Sequence, residues 1–365
     1  MSDMKRNTDH DNSFDKNTSG NSSAIQQSSK FDWILLVEGQ HDLKFYFPIV
    51  NDAFKKLKEE KKGEFKYDMD KTLKENRTKE QDKESRHLVC KKLVRLVHAK
   101  VTDVKPKHFY GIVDKDYEET EKDIQQKKSF LIDKKILKET DGNSLEMMLI
   151  KWAKKSNHSN EFFSRIINKL DNPDCLDAIE FGKIVSFSIE AAEKIGRIRK
   201  KYPANFCYGD VKNDDFFYSI RQRKAETGEN SLDFNIRKYA SALLRKTAER
   251  GYKVEEYSSE ALLEIAENYT GDDKYDICNG HDFVNILKQA VRHSSIGSYT
   301  KITTPLLVES FPLDWFTNCE VFKWLKFIKD LKNNEEISLT DPYKSYIIAI
   351  GGLDPKRPNH SRYRC

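Results

Sequence analysis

The 365-residue chain contains no run of about 18 uncharged apolar residues, so no segment reads as a membrane-spanning helix. The usual marks of zinc chemistry are missing as well. The six cysteines (Cys90, Cys175, Cys207, Cys278, Cys319, Cys365) never fall at metal-knuckle spacing, and the nine histidines include no His-x-x-x-His or His-Glu-x-x-His pair. Neither Gly-x-x-x-x-Gly-Lys-Ser/Thr nor Gly-x-Gly-x-x-Gly is present, which leaves no visible nucleotide-hydrolysing loop. No apolar leader opens the sequence, and with unclustered cysteines the expectation is reduced thiols in a cytoplasm. Net charge is small too: 64 Lys+Arg against 59 Asp+Glu leaves +5, too little by itself to imply a polyanionic partner.

Charge of both signs is abundant. Charged residues make up 34%, where soluble chains average about 25%. The 21 Phe, 16 Tyr and 4 Trp are too much aromatic surface to leave in water, so the chain as a whole folds. Its length suits two domains or one elaborated domain. Residues 1–30 hold five apolar residues among Ser, Asn, Asp and Gln and read as a disordered tail. Order begins at Trp33-Ile34-Leu35-Leu36-Val37, a short apolar run closed by Glu38-Gly39 and expected to be a buried strand.

An amphipathic helix is expected from about His41 to Lys58, with Leu43, Tyr46, Phe47, Val50 and Phe54 on one face. Residues 55–86 carry twelve Lys/Arg and nine Asp/Glu and read as a solvated helix or a mobile insertion. A second amphipathic helix at 87–101 leads to Phe109-Tyr110-Gly111-Ile112-Val113, another apolar run, ended by Asp114-Lys115-Asp116. Strand, helix, strand in that order predicts a parallel α/β unit. A short strand is expected at 130–132 and a helix at Leu145–Ala153, capped by Asn143 or Ser144. From about 160 to 335 the periodicity is helical, at 161–170, 176–201, 233–250, 258–268, 281–293 and 319–332.

The acids at the strand ends carry the chemistry. Glu38 follows the first apolar run and Asp114 the second; in an open parallel sheet that edge binds ligands. Asp42 lies one helical turn beyond Glu38, Asp116 two residues beyond Asp114, and Glu146 opens a helix that could approach the same edge. Carboxylates converging on one point repel each other unless a cation neutralises them. An all-oxygen donor set selects Mg²⁺ or Mn²⁺, and such an ion suits phosphoryl transfer. An acid after a strand is also a common turn former or helix cap, so only the combination points to a site.

Val37-Glu38-Gly39-Gln40-His41-Asp42, Gly111-Ile112-Val113-Asp114-Lys115-Asp116 and Asn143-Ser144-Leu145-Glu146 resemble the motifs of the Toprim-like family that accompanies OLD-type ATPases, and among them the nuclease effectors of PARIS-type anti-phage systems. Asn279-Gly280-His281-Asp282 resembles a late motif of that family. The resemblance implies an α/β fold, a Toprim-like parallel sheet flanked by helices, with a mostly helical C-terminal region. Composition and periodicity, with that resemblance over about 33–153 and 275–290, give the expected organisation: a disordered tail at 1–30, a Toprim-like metal-binding domain at 31–155 holding the charged insertion 55–86, a mainly helical domain at 156–350 and a basic tail at 351–365. Metal ligation falls to Glu38, Asp114 and Asp116, with Asp42 and Glu146 supporting a second ion. The implied activity is Mg²⁺- or Mn²⁺-dependent phosphodiester cleavage in bacterial anti-phage defence, on RNA such as transfer RNA, under a partner AAA/ABC-type ATPase. A DNA endonuclease of OLD type and a catalytically silent, nucleic-acid-binding scaffold of an ATPase complex are the alternatives.

His281 and Asp282 are candidates for supporting roles at the metal, although an Asp in that position is also a common helix cap. Arg197, Arg199, Lys200 and Lys201 place four positive charges in five residues and are the candidate nucleic-acid contacts. Further basic clusters fall at Arg221/Arg223/Lys224 and Arg237/Lys238/Arg245/Lys246. After Asp354 the chain carries Lys356, Arg357, Arg362 and Arg364 and no acid.

Overall fold

The computed structural model describes residues 33–37, 39, 41–49, 64–70, 108–115, 137–170, 176–202, 213–224, 230–249, 254, 257–268, 273–294, 301–312 and 344–350. The chain divides into two compact units: 1–113 with 129–139 and 324–365, and 114–128 with 140–323. The division differs from an expected boundary near 155, because residues 140–155 belong with the helices that follow them. The expected tails 1–30 and 351–365, the strand at 130–132 and the helices at 87–101 and 319–332 lie outside the described residues.

The first unit is built on five parallel strands: β1 (Trp33–Val37), β2 (Glu64–Asp70), β3 (His108–Val113), β4 (Leu137–Glu139) and β7 (Lys344–Ile350), in the order β2-β7-β1-β3-β4. Continuous apolar runs such as Trp33–Val37 suit inner strands of a parallel sheet, which are covered on both faces. Leu35, Val37 and Ile112 are buried. Helix α1 (41–49) follows β1 and buries Leu43, Phe45, Tyr46 and Ile49, with Phe45 and Tyr46 in edge-to-face contact at 5.1 Å. Two expectations are corrected here. The charged segment 55–86 contains an edge strand, β2, and the segment expected to be helical up to 350 ends in β7, which pairs with both β1 and β2.

The second unit is mainly helical: α2 (Leu145–Lys155), α3 (Ser159–Ile167), α4 (Ala178–Lys201), α5 (Asn213–Ser219), α6 (Ile236–Glu249), α7 (Ser259–Asn268), α8 (Lys274–Ile277), α9 (Gly280–His293) and α10 (Thr304–Ser310). An antiparallel hairpin, β5 (Ile220–Lys224) with β6 (Asn230–Phe234), interrupts the helices. Helix α2 is central, since every residue from Leu145 to Ala153 is buried. A helix buried all round must pair any charge it carries, and α2 carries two in that stretch, Glu146 and Lys151. Around it Trp152, Phe162, Phe163, Phe181 and Phe311 form a chain of ring contacts at 5.4–6.1 Å. Helix α4 starts under an Asp177 cap that accepts from the backbone N–H groups of Ile179 and Glu180. It passes α8 so closely that a Cβ on Gly196 would strike the Ile277 carbonyl. No helix among the described residues is long and apolar enough to cross a membrane.

Candidate active site

Strands β1 and β3 run parallel, with Val37 opposite Ile112, so the chain leaves both at one edge of the sheet. The next residues in sequence are Glu38 and Asp114. Glu38 and Asp116 lie outside the described residues. Beyond β1, the Asp42 carboxylate accepts from the Gly39 N–H at 3.0 Å, and the Leu43 N–H bonds the Gly39 carbonyl at 3.0 Å. This is the returning half of a capping box, in which an acid in the first turn satisfies the N–H of the cap residue. Asp42 therefore holds Gly39 at the entry to α1.

In the helical unit Asp114 plays the corresponding part for α2. Ser144 occupies the cap position of α2, but its side chain makes no cap bond. Instead Asp114 Oδ1 accepts from the Leu145 N–H at 3.1 Å. A carboxylate there meets an unsatisfied donor and the positive end of the helix dipole. The adjoining backbone is fixed in series: the Lys115 N–H bonds the Asn143 carbonyl at 3.0 Å, and the Asn143 N–H bonds the Tyr275 carbonyl at 2.8 Å. Lys115 Nζ lies 2.5 Å from Asp276 Oδ2. Lys151 Nζ reaches Asp141 at 3.2 Å, Asp273 at 3.0 Å and Asp276 at 3.6 Å. Burial pushes the Lys151 ammonium down, but its bond to Asp273 and the charges of Asp141 and Asp276 raise it overall. Lys151 is thus the cation that lets three aspartates gather beside the Asp114 turn. Burial and the Asp273 charge push the Tyr275 phenol up to about 12, so it stays protonated at neutral pH.

Glu146 sits at the crossing of the two late motifs. Its carboxylate accepts from Ser144 Oγ at 2.8 Å and from Thr304 Oγ1 at 2.6 Å, and the residue is 4% exposed. Burial pushes the carboxyl up; the His281 charge, the Thr304 hydroxyl and the Ser144 hydroxyl more than offset this and hold it below the ordinary range. Gly280, the first residue of α9, packs directly on this group: a Cβ there would strike Ser144 Oγ and Glu146 Oε2. The glycine of Asn279-Gly280-His281-Asp282 is required by that close approach. Glu146 is turned into a hydroxyl cradle, so it positions the start of α2, next to the Asp114 bond, and does not itself present a ligand outward.

Three expected assignments change. The cap of α9 is Asn279, whose side chain accepts from the N–H groups of His281 and Asp282. Asp282 points inward to Arg199: Arg199 NH2 bonds Oδ1 at 3.2 Å, while Nε and Oδ2 approach to 2.8 Å as an ion pair without hydrogen-bond alignment. Burial pushes the Asp282 carboxyl up, opposed by the Arg199 guanidinium. Arg199, which also bonds Tyr239 Oη at 3.3 Å, is 2% exposed and cannot meet a nucleic acid. Arg197 is committed to the Ala266 carbonyl at 2.7 Å and to Glu193 at 2.5 Å. Of the expected basic run, Lys200 and Lys201 remain exposed, as does His281 at the head of α9.

The donor set fits a hard divalent ion in part. Asp114 is a half-buried carboxylate whose Oδ1 meets a backbone N–H, and its oxygens are hard donors of the kind such an ion takes. Asp42 and Glu146 have employment within their own units. Among the described residues no three His, Cys, Asp or Glu gather where they could hold a metal. Lys115, Lys151, Asp273, Asp276 and Thr304 entered the site only with the structure. The legible sign among them is Lys151, which follows four apolar residues and precedes Trp152-Ala153 within one helix. The chain matches no family model, no curated protein and no solved structure.

Proposed function

We propose that this chain is a metal-dependent nuclease with a Toprim-like fold, the effector of a bacterial anti-phage system, cleaving RNA such as transfer RNA when a partner ATPase releases it. The observation that carries this reading is the pair of parallel, in-register strands β1 and β3 followed in sequence by Glu38 and by Asp114, the latter anchored at a helix N-terminus. Glu38, Asp114 and Asp116 would hold Mg²⁺ or Mn²⁺. The ion would lower the pKa of an attacking water and stabilise the leaving oxygen. The protein's own part is to fix the acids. Asp42 ties down the turn after β1, and the Lys115–Asp276–Lys151 network ties down the turn after β3. The lack of a nucleotide-hydrolysing loop supports a separate ATPase as the switch.

A second reading, a silent scaffold subunit, is favoured by the internal bonds of Asp42 and Glu146. Mg²⁺-dependent thermal shift separates the two. A live site is stabilised by RT ln(1 + [Mg²⁺]/Kd), about 2.7 kcal/mol at one hundred times Kd. A nuclease whose melting point rises with Mg²⁺, and whose Asp114→Asn variant shows no rise, supports the first reading. Equal melting curves with and without the ion support the scaffold.

A further inference from the structure

A second cluster in the helical unit takes no part in the Asp114 turn. Helix α5 presents Phe217 and Tyr218 in succession, ring centroids 5.6 Å apart and nearly perpendicular at 75°. The Phe217 ring stacks on His293 of α9 at 4.2 Å and 18°, and the Arg292 guanidinium carbon lies 4.1 Å from the Phe217 centroid. His293 Nε2 is 2.9 Å from the Phe217 carbonyl, which can only accept, so that nitrogen donates. Lys238 Nζ lies 5.4 Å from the Tyr218 centroid. Two rings in edge contact, Tyr218 and Phe217, thus lie between a cation at either end, Lys238 and Arg292.

Packing of α5 on α9 accounts for Phe217 and His293, which are half-buried. It does not account for Tyr218, which is 60% exposed. Lys238, Arg292 and Arg221 are exposed as well. Acids lie beside this surface as well: Asp233 is opposite Arg221 across the hairpin, and Glu260 is 3.6 Å from Arg237. An exposed ring beside cations suits one class of polyanion above others. Unpaired bases offer a π-face to an aromatic ring, while their phosphates meet Lys and Arg; a duplex hides its bases in the stack.

We infer that Tyr218, with Lys238 beside its ring and Arg292 beyond the neighbouring Phe217, forms a stacking platform for a single-stranded nucleic acid. The inference deepens the nuclease reading by naming the form of the substrate, and it assigns contact to residues other than Arg197 to Lys201. Binding here needs no metal, so it can be read with a chelator present.

The test is fluorescence anisotropy on the full chain in a chelator, using labelled oligouridylate and oligothymidylate of about 12 nucleotides, within the range single-strand sites span. Tyr218→Ala should weaken binding about 5- to 100-fold while Tyr218→Phe binds like wild type. Lys238→Ala should reduce the slope of log K against log salt by about 0.7. Whichever strand binds more tightly identifies RNA or DNA as the source. Wild-type affinity in Tyr218→Ala, absence of binding, or competition by duplex and heparin as strong as by single strands would each overturn the platform. Should Tyr218→Ala melt early, the exposed Lys238→Glu variant serves instead, and unchanged affinity there overturns it equally. An Asp114→Asn protein that binds but does not cleave bears on the catalytic reading alone. Retained cleavage with no strand binding sinks the platform alone.

Discussion

Gly280→Ala isolates the contact between the two late motifs. Helix propensity alone predicts stabilisation, because Gly to Ala within a helix gains about 0.5–1 kcal/mol. The structure predicts the opposite sign. The new Cβ would meet Ser144 Oγ, Glu146 Oε2 and, at 2.9 Å, Glu146 Cδ. Overpacking of this kind costs about 1–3 kcal/mol. Moving Glu146 off the Ser144 hydroxyl adds the loss of a buried, charge-assisted hydrogen bond, about 1.5–3 kcal/mol. The two costs overlap, and after the propensity gain the net is about 2–4 kcal/mol of destabilisation. For a unit of this size that is a fall in melting temperature of about 5–15 °C, read by thermal unfolding at neutral pH. Ser144→Ala in the same chain removes one of the struck atoms, so the double variant should lose less than the sum of the singles. A Gly280→Ala protein as stable as wild type, or more stable, would refute the contact.

Other expectations follow from the same bonds. Arg199→Met should cost about 3–5 kcal/mol in denaturant unfolding because Asp282 is left buried without its cation, whereas Arg199→Met with Asp282→Leu should recover most of it. Equal loss in single and double variants would show that the pair is not coupled. Glu146 has a carboxyl held below the ordinary value of 4.5. Its folded form therefore contributes stability that is fully present above about pH 4.5 and is lost as pH falls through the lower folded value. Urea midpoints between about pH 3 and 6 should fall less steeply toward acid in Glu146→Gln than in wild type. Identical acid limbs would remove Glu146 from the account.

Sequence pattern exposed the inner strands β1 and β3, missed the inner strand β7, and hid edge strand β2 for a physical reason. Trp33–Val37 and His108–Val113 are apolar throughout or nearly so, as strands covered on both faces must be. Edge strand β2, Glu64–Asp70, alternates Phe65, Tyr67 and Met69 with charges, a period-two signal masked by the lysines and glutamates around it. In β7 the run Tyr346–Ile350, closed by Gly351-Gly352, carried the same kind of signal as β1. The helical periods at 176–201, 258–268 and 281–293 lie within two residues of α4, α7 and α9 at each end.

The sequence marks Asp114 by its place after a strand, but the partners that fix its surroundings, Asp273 and Asp276 among the acids and Lys115 and Lys151 among the cations, carry no sign of one another. Arg199 reads as part of a charge run, yet Ala192, Ile195 and Arg199 share one helical face and all three are buried. Asp282 falls likewise on the face of Ile286, Gln289 and Ala290. A charge within an apolar stripe announces a buried partner, but a partner 83 residues away cannot be named from periodicity. Lys115 and Asp276, 161 residues apart, pair across the sequence without even that sign, since Lys115 follows a strand and lies in no helical stripe.

The most direct test of the nuclease account is Mg²⁺-dependent RNA cleavage by purified wild-type and Asp114→Asn proteins. Asparagine keeps an oxygen to accept from the Leu145 N–H, so the variant should melt within about 3 °C of wild type if it loses no more than a weak dipole contact. What it lacks is the charge that would hold a divalent ion. The account predicts a folded protein with no Mg²⁺-dependent cleavage. Cleavage at the wild-type rate by a stably folded Asp114→Asn protein would contradict it.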